Sequence, residues 1–354
     1  MFLNFTATNN SPEPPGQPAL AGGPSTSQLQ TTPLNLRDNQ ALAGGPSTSQ
    51  LQTTPPEPVR GPSTSQLPKY TSQSYYATNM NPHLTALGAA YQLHYYLWLK
   101  TRYLEASLAS AERQQLAKKV IPDICDRHNY SLLESDFDSM HLRLLISLQP
   151  KHAISQAVKL LKGNLEYQFG KAFDGKRLLG RGYFARTAGK VDLDRARNYL
   201  ANQITHHGYQ GEWTKPLEYI NSAFRSPAFS FAHYYTILNY HLVFATQKRI
   251  PIFDEVIGPK LFDYVIAVGK KHQFAVDRVS LLPDHMHMII EGTPSVSVEE
   301  YVLAIMNNTQ HWMTKRYDGV LKQTGAWDVW QPSYYAGTVG EFTSAQVTKF
   351  LRSD

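Results

Sequence analysis

Two short runs of this 354-residue chain hold side chains able to act on a phosphodiester. His285-Met286-His287 lies within 281–290, an apolar, strand-like stretch. Side chains on a strand alternate faces, so both imidazoles point one way while Met286 and Met288 point the other. Two parallel imidazoles on a rigid strand are a natural start to a divalent-metal site. Tyr199 and Gln203 lie four apart in Asn198-Tyr199-Leu200-Ala201-Asn202-Gln203, so on a helix they share one face a turn apart. A tyrosine hydroxyl there can attack phosphorus, and a glutamine carbonyl can be a third, oxygen ligand. Taken singly, each run has a plainer reading: packed histidines on a strand, and an amphipathic helix with a surface tyrosine.

The elements that must position these residues come from a diverged repeat. The run 95–102 (YYLWLKTR) parallels 240–249 (YHLVFATQKR), Asp138-Ser139-Met140-His141 parallels Asp284-His285-Met286-His287, and 183–189 (YFARTAG) parallels 334–340 (YYAGTVG). The offsets are 145, 146 and 151 residues, in one order. Two homologous domains follow, 80–207 and 230–354, joined by 208–229. Each copy reads as a strand (93–100; 238–246), a helix (108–128; 254–271), two strands joined by a tight turn (130–137 and 141–148; 273–282 and 285–291), a helix (152–170; 296–316), a strand (181–187; 329–338) and a last helix (190–206; 342–352). That order predicts an α+β fold, an antiparallel sheet with helices packed on one face in each copy.

The remainder sets bounds. Residues 19–33 and 41–55 are the same fifteen-residue string, and 61–68 echo it, so 1–75 reads as a disordered tail rich in Pro, Gly, Ser, Thr and Gln. One cysteine, Cys125, excludes a disulfide framework and a cysteine-type zinc site. No run reaches the roughly 18 apolar residues of a membrane span, and no basic-then-apolar leader is present, so a soluble, reducing compartment is expected. Of the formal charge of +6, residues 1–68 carry −1, two arginines against three carboxylates, so the remaining 286 residues carry +7. A cationic body with 21 tyrosines is compatible with nucleic-acid binding through phosphate attraction and base stacking.

The opening strand 240–246 (YHLVFAT), Pro283-Asp284-His285-Met286-His287, 330–335 (WQPSYY) and the helix bearing Tyr199 and Gln203 resemble the single-tyrosine HUH transposases of small bacterial insertion sequences, the IS200/IS605 type. The resemblance covers both copies. It implies two tandem ferredoxin-like HUH domains and a divalent ion, Mg²⁺ or Mn²⁺. The implied substrate is single-stranded DNA with hairpins, cut through a 5′-phosphotyrosine intermediate without a nucleotide cofactor. The implied location is the bacterial cytoplasm, with the nucleoid and no membrane. Members usually act as homodimers, and their sites can be composite, one subunit's tyrosine helix completing the other's histidine pair.

This chain departs from that pattern in both copies. The first has Ser139-Met140-His141 where the histidine pair belongs, yet keeps Tyr199 and Gln203; the second keeps the pair but has Phe350 and Asp354 at the tyrosine and glutamine places. The defects are complementary. If the helix of copy one crosses to copy two, one full set assembles: Tyr199 as nucleophile, with His285, His287 and Gln203 on the metal. The expectation is a monomeric pseudo-dimer with one centre; the alternative is an inactive, hairpin-binding regulator. Lys100, Arg102, Lys162, Lys248, Arg249 and Lys315 are the candidate phosphate contacts, and Trp327, Trp330 and Tyr334 could stack on bases or simply fill the core.

Overall fold

The computed structural model describes residues 87–173, 175, 177–189, 191–202, 216–224, 229–231 and 234–340. The repeat tail and the expected helix at 342–352 lie outside them. The first copy contains β1 (Gly88–Gln92), β2 (His94–Lys100), α1 (Ala111–Arg127), β3 (Ser131–Phe137), β4 (His141–Ser147), α2 (Ile154–Ala172), β5 (Tyr183–Ala188) and α3 (Leu193–Ala201). Short strands β6 (Leu217–Ile220), β7 (Phe229–Phe231) and β8 (Tyr234–Ile237) follow. The second copy contains β9 (Asn239–Thr246), α4 (Ile257–His272), β10 (Ala275–Leu282), β11 (His285–Glu291), α5 (Val298–Arg316), α6 (Asp318–Thr324) and β12 (Trp330–Val339).

These strands form two sheets, ordered β3-β4-β2-β5-β8-β7 and β1-β12-β9-β11-β10-β6. Antiparallel pairing dominates both. In each copy the strand parity puts one apolar row against the helices. Leu97, Leu99, Leu144 and Ile146 meet Ile121, Leu161 and Leu165 in the first; Leu242, Phe244, Met286 and Met288 meet Leu261, Val265 and Ile305 in the second. Burying each such side chain contributes about 1.5–3 kcal/mol. The helices are ended by local chemistry: Ser110 caps α1, Asp192 caps α3, and Ser297 with Glu300 forms a capping box on α5.

Sequence patterning anticipates the strands that carry the core, but not β1, β6, β7 or β8. The two strands flanking the copies are exchanged. β1 pairs in parallel with β12 of the second copy, and β8 pairs in parallel with β5 of the first. An Ala-Ala-containing five-residue strand has little propensity of its own, and the partner sheet supplies the ladder that orders it.

The same bonds recur on both sides of the seam. Thr187 Oγ1 donates to Val339 O at 2.7 Å and accepts from Asn239 N at 3.1 Å. Thr338 Oγ1 donates to Ala188 O and accepts from His94 N at 3.1 Å. Tyr95 and Tyr240 meet hydroxyl to hydroxyl at 3.4 Å, and Gly189 N donates to Gly340 O at 3.2 Å. A Cβ on Gly189 would strike the Thr338 carbonyl, and one on Gly340 the Thr187 carbonyl, so the backbones cross only because both residues lack side chains.

Candidate active site

The face of the second sheet turned away from α4 and α5 carries the histidines. His287 lies opposite Val243 and Ser280, and His285 opposite Ala245 and Leu282. Parity puts His241 and Tyr335 on the same face. Both ligand candidates are buried, His285 fully and His287 nearly so. His285 Nδ1 lies 2.7 Å from Asp284 Oδ1, and Asp284 Oδ2 lies 2.7 Å from Arg249 Nε. Burial lowers the His285 pKa, and the Asp284 carboxylate opposes that shift. His241 Nε2 stands 3.0 Å from His287 Nδ1, and burial drops its pKa to about 4. His285 and His241 are therefore neutral imidazoles near neutral pH, and neutral is the form that a metal-ligating imidazole takes.

Arg249 reaches Asp284 through a local kink. Lys248 and Arg249 have φ of 53° and 60°, in the left-handed region that side chains rarely adopt. Thr246 Oγ1 braces the turn, donating to Ile250 O at 2.7 Å and to Asp284 O at 3.0 Å. The first copy repeats the kink at Tyr103 and Leu104, with φ of 55° and 56°, so the conformation belongs to the fold.

Helix α3 of the first copy packs on this face. Arg197 grips Asp277 with two bonds of 2.8 Å, from Nε and Nη2. Arg278 Nη1 donates to Arg197 O at 2.8 Å, and Ser280 Oγ donates to Leu200 O at 2.9 Å. Ala196 and Leu200 pack on Ile289 and Val339. The Tyr199 ring then meets the His287 and His241 rings edge to face, with centroids 5.9 Å away in each case. Tyr199, His285 and His287 are thus brought together. Gln203, Phe350 and Asp354 lie outside the described residues.

The corresponding face of the first sheet corrects the repeat alignment. His141, not Ser139, occupies the His285 place: it pairs with Lys100 as His285 pairs with Ala245. The His287 place is held by Arg143, opposite Trp98 and Asp136. Arg143 is buried and salt-bridged to Asp136 at 3.2 Å and Asp138 at 2.8 Å, with its guanidinium 5.3 Å from the Trp98 ring centroid. An ion-paired arginine cannot ligate a cation, so this copy lacks its second ligand.

Lys162 and Arg249 have partners inside the fold, and exposed Arg102 donates from Nη2 to the Tyr103 hydroxyl at 3.1 Å. Lys162 Nζ donates to Gly180 O at 2.6 Å and Gly182 O at 3.0 Å, clamping the loop before β5, and Arg249 holds Asp284. Lys100, Arg102, Lys248 and Lys315 are exposed. Trp330 and Tyr334 are core residues, whereas Trp327 is exposed. His241, Asp284 and Arg249 went unrecognised as parts of the site. Strand parity could have flagged His241, which stands two residues before Val243; the Arg249 contact depends on a kink that no pattern signals.

His285 and His287 fit a divalent ion. With Nδ1 bonded to Asp284 in one case and to His241 in the other, Nε2 of each is the natural ligating atom. Among the described residues no group of three or more His, Cys, Asp or Glu is placed to hold an ion, so an ion on this pair would need a further donor.

The chain is thus a doubled α+β fold in which a tyrosine-bearing helix of one half lies on the paired histidines of the other. The chain belongs to the family described as "Transposase IS200 like", whose model matches it twice, over residues 89–203 and 234–354. It is similar to the ISDra2 transposase TnpA of Deinococcus radiodurans, 26% identical over 116 residues, which are 33% of this chain and 83% of that protein. A transposase for insertion sequence element IS200 from Salmonella typhimurium is 25% identical over 100 residues, 26% of this chain and 65% of that protein. A solved REP-associated tyrosine transposase bound to a REP hairpin aligns with 33% of this chain and 70% of its own, at 11% identity and a TM-score of 0.24, too slight a likeness to argue from. No helix among the described residues is long and apolar enough to cross a membrane.

Proposed function

We propose that this transposase nicks and rejoins single-stranded DNA near hairpins at one composite centre, with Tyr199 as nucleophile. The observation carrying this reading is the Tyr199 ring packed against His287, across the boundary between copies. The Tyr199 oxygen bonds to phosphorus as the P–O3′ bond breaks. The phenol gives up its proton, and the departing 3′-oxygen takes one up, so the products are a 5′-phosphotyrosine and a free 3′-hydroxyl. Attack by a 3′-hydroxyl reverses the step on the same or another strand, so joining needs no nucleotide cofactor. A divalent ion, Mg²⁺ or Mn²⁺, held by His285, His287 and Gln203 would polarise a non-bridging phosphate oxygen. The protein's part is placement: α3 holds the phenol and Asp284 orients His285. The chain works as a monomeric pseudo-dimer.

Arg143 in the first sheet favours a second reading, a hairpin-binding regulator without chemistry. Denaturing electrophoresis of the protein with Mn²⁺ and labelled, hairpin-flanked single-stranded oligonucleotides separates the two. A slow, protease-sensitive band that disappears in Tyr199→Phe is expected. A parent protein that binds the oligonucleotide but forms no such band is the regulator.

A further inference from the structure

The proposed chemistry leaves His241 without a role, although its Nε2 stands 3.0 Å from His287 Nδ1. We propose that His241 is a positioning residue that holds His287 in the one tautomer able to ligate through Nε2. This rests on the metal-site reading above and deepens it.

The argument is one of proton counting. A neutral imidazole has one N–H and one lone pair. Between His241 Nε2 and His287 Nδ1, 3.0 Å apart, there is room for one proton. If it sits on His287, Nδ1–H donates to His241 and His287 Nε2 keeps its lone pair for a metal. If it sits on His241, the His287 proton moves to Nε2 and blocks ligation. Metal binding therefore selects the first state, and His241 supplies its acceptor. The rings are also fixed in direction: their planes lie within 22° with centroids 5.3 Å apart, nitrogen facing nitrogen, and Tyr199 and Tyr335 each meet His241 edge to face at 5.9 Å.

The first copy supplies an internal comparison. Where His287 is replaced by Arg143, the His241 place is also changed, to Tyr96, which lies opposite Leu145 as His241 lies opposite Ile289. The first copy has neither histidine of this pair. For His285 the acceptor is Asp284, so each imidazole of the pair has its own orienting partner.

The test uses full-length protein and Mn²⁺ alone, titrated by calorimetry, with hairpin-oligonucleotide binding measured in EDTA. His241→Phe keeps an aromatic ring against Tyr199 but removes the acceptor, and should weaken Mn²⁺ binding about 10- to 100-fold. His241→Gln, whose carboxamide oxygen can take the Nε2 place, should recover most of that loss. Oligonucleotide binding in EDTA should be unchanged in both. Mn²⁺ affinity within twofold of the parent in His241→Phe overturns the inference. Should His241→Phe not fold, nitrogen-15 NMR of the parent decides: a protonated Nδ1 on His287 supports the role, and a protonated Nε2 overturns it. His287→Ala is the control for the underlying reading. If it binds Mn²⁺ as the parent does, the metal site itself is wrong and the inference falls with it.

Discussion

Asp284 accepts from His285 on one oxygen and from Arg249 on the other, so a single carboxylate fixes an imidazole and is itself fixed by a kinked loop. Asp284→Ala should reduce Mn²⁺ affinity about 10- to 100-fold, measured by titration, because His285 loses its orienting acceptor. Imidazoles withdrawn wholly or partly from water also set a pH dependence. Burial depresses His241 to about 4 and lowers His285 and His152, so the folded chain refuses protons that the unfolded chain accepts near about 6.5. A folded-state pKa below the unfolded one means stability is full above the unfolded value and is lost as pH falls. The denaturation midpoint should therefore drop steadily between about pH 6.5 and 4, and His241→Phe should flatten part of that slope.

Helix α3 is nine residues long, too short to persist without its cap and its tertiary contacts. Asp192→Ala removes the cap and should cost about 1 kcal/mol, visible as faster hydrogen exchange in α3 and fewer covalent adducts. Arg197→Ala leaves nearly buried Asp277 uncompensated and should cost about 3–5 kcal/mol by urea denaturation, part of which the double variant with Asp277→Ala recovers. The core strands were legible because their apolar residues alternate, as Leu242, Phe244, Met286 and Met288 do. The helix crossing was foreshadowed by complementary defects in the two copies, since only a crossed helix unites Tyr199 with His285 and His287. The first-copy site was misread by two residues, for a physical reason. The letters of Asp138-Ser139-Met140-His141 match the motif, but hairpin pairing with Lys100 sets the register, and pairing is not encoded in four letters. The exchanged strands were invisible for a related reason: their order comes from the other half.

At the scale of the whole molecule, strand exchange and the crossing at Gly189 and Gly340 tie both halves into one unit. Gly189→Val would push a side chain into the Thr338 carbonyl and should destabilise by about 1–3 kcal/mol or more, lowering the melting temperature with both halves unfolding together. A site closed within one chain should also form adducts at a rate per chain that does not change on dilution. The central claim, that Tyr199 of one copy serves the histidines of the other within the same chain, is tested most directly by mixing. Tyr199→Phe and His287→Ala chains, each inert alone, are combined in equal amounts with Mn²⁺ and the hairpin oligonucleotide, beside the parent. The account predicts a DNA adduct on Tyr199 in the parent and none in the mixture; an adduct in the mixture approaching the parental yield would contradict it.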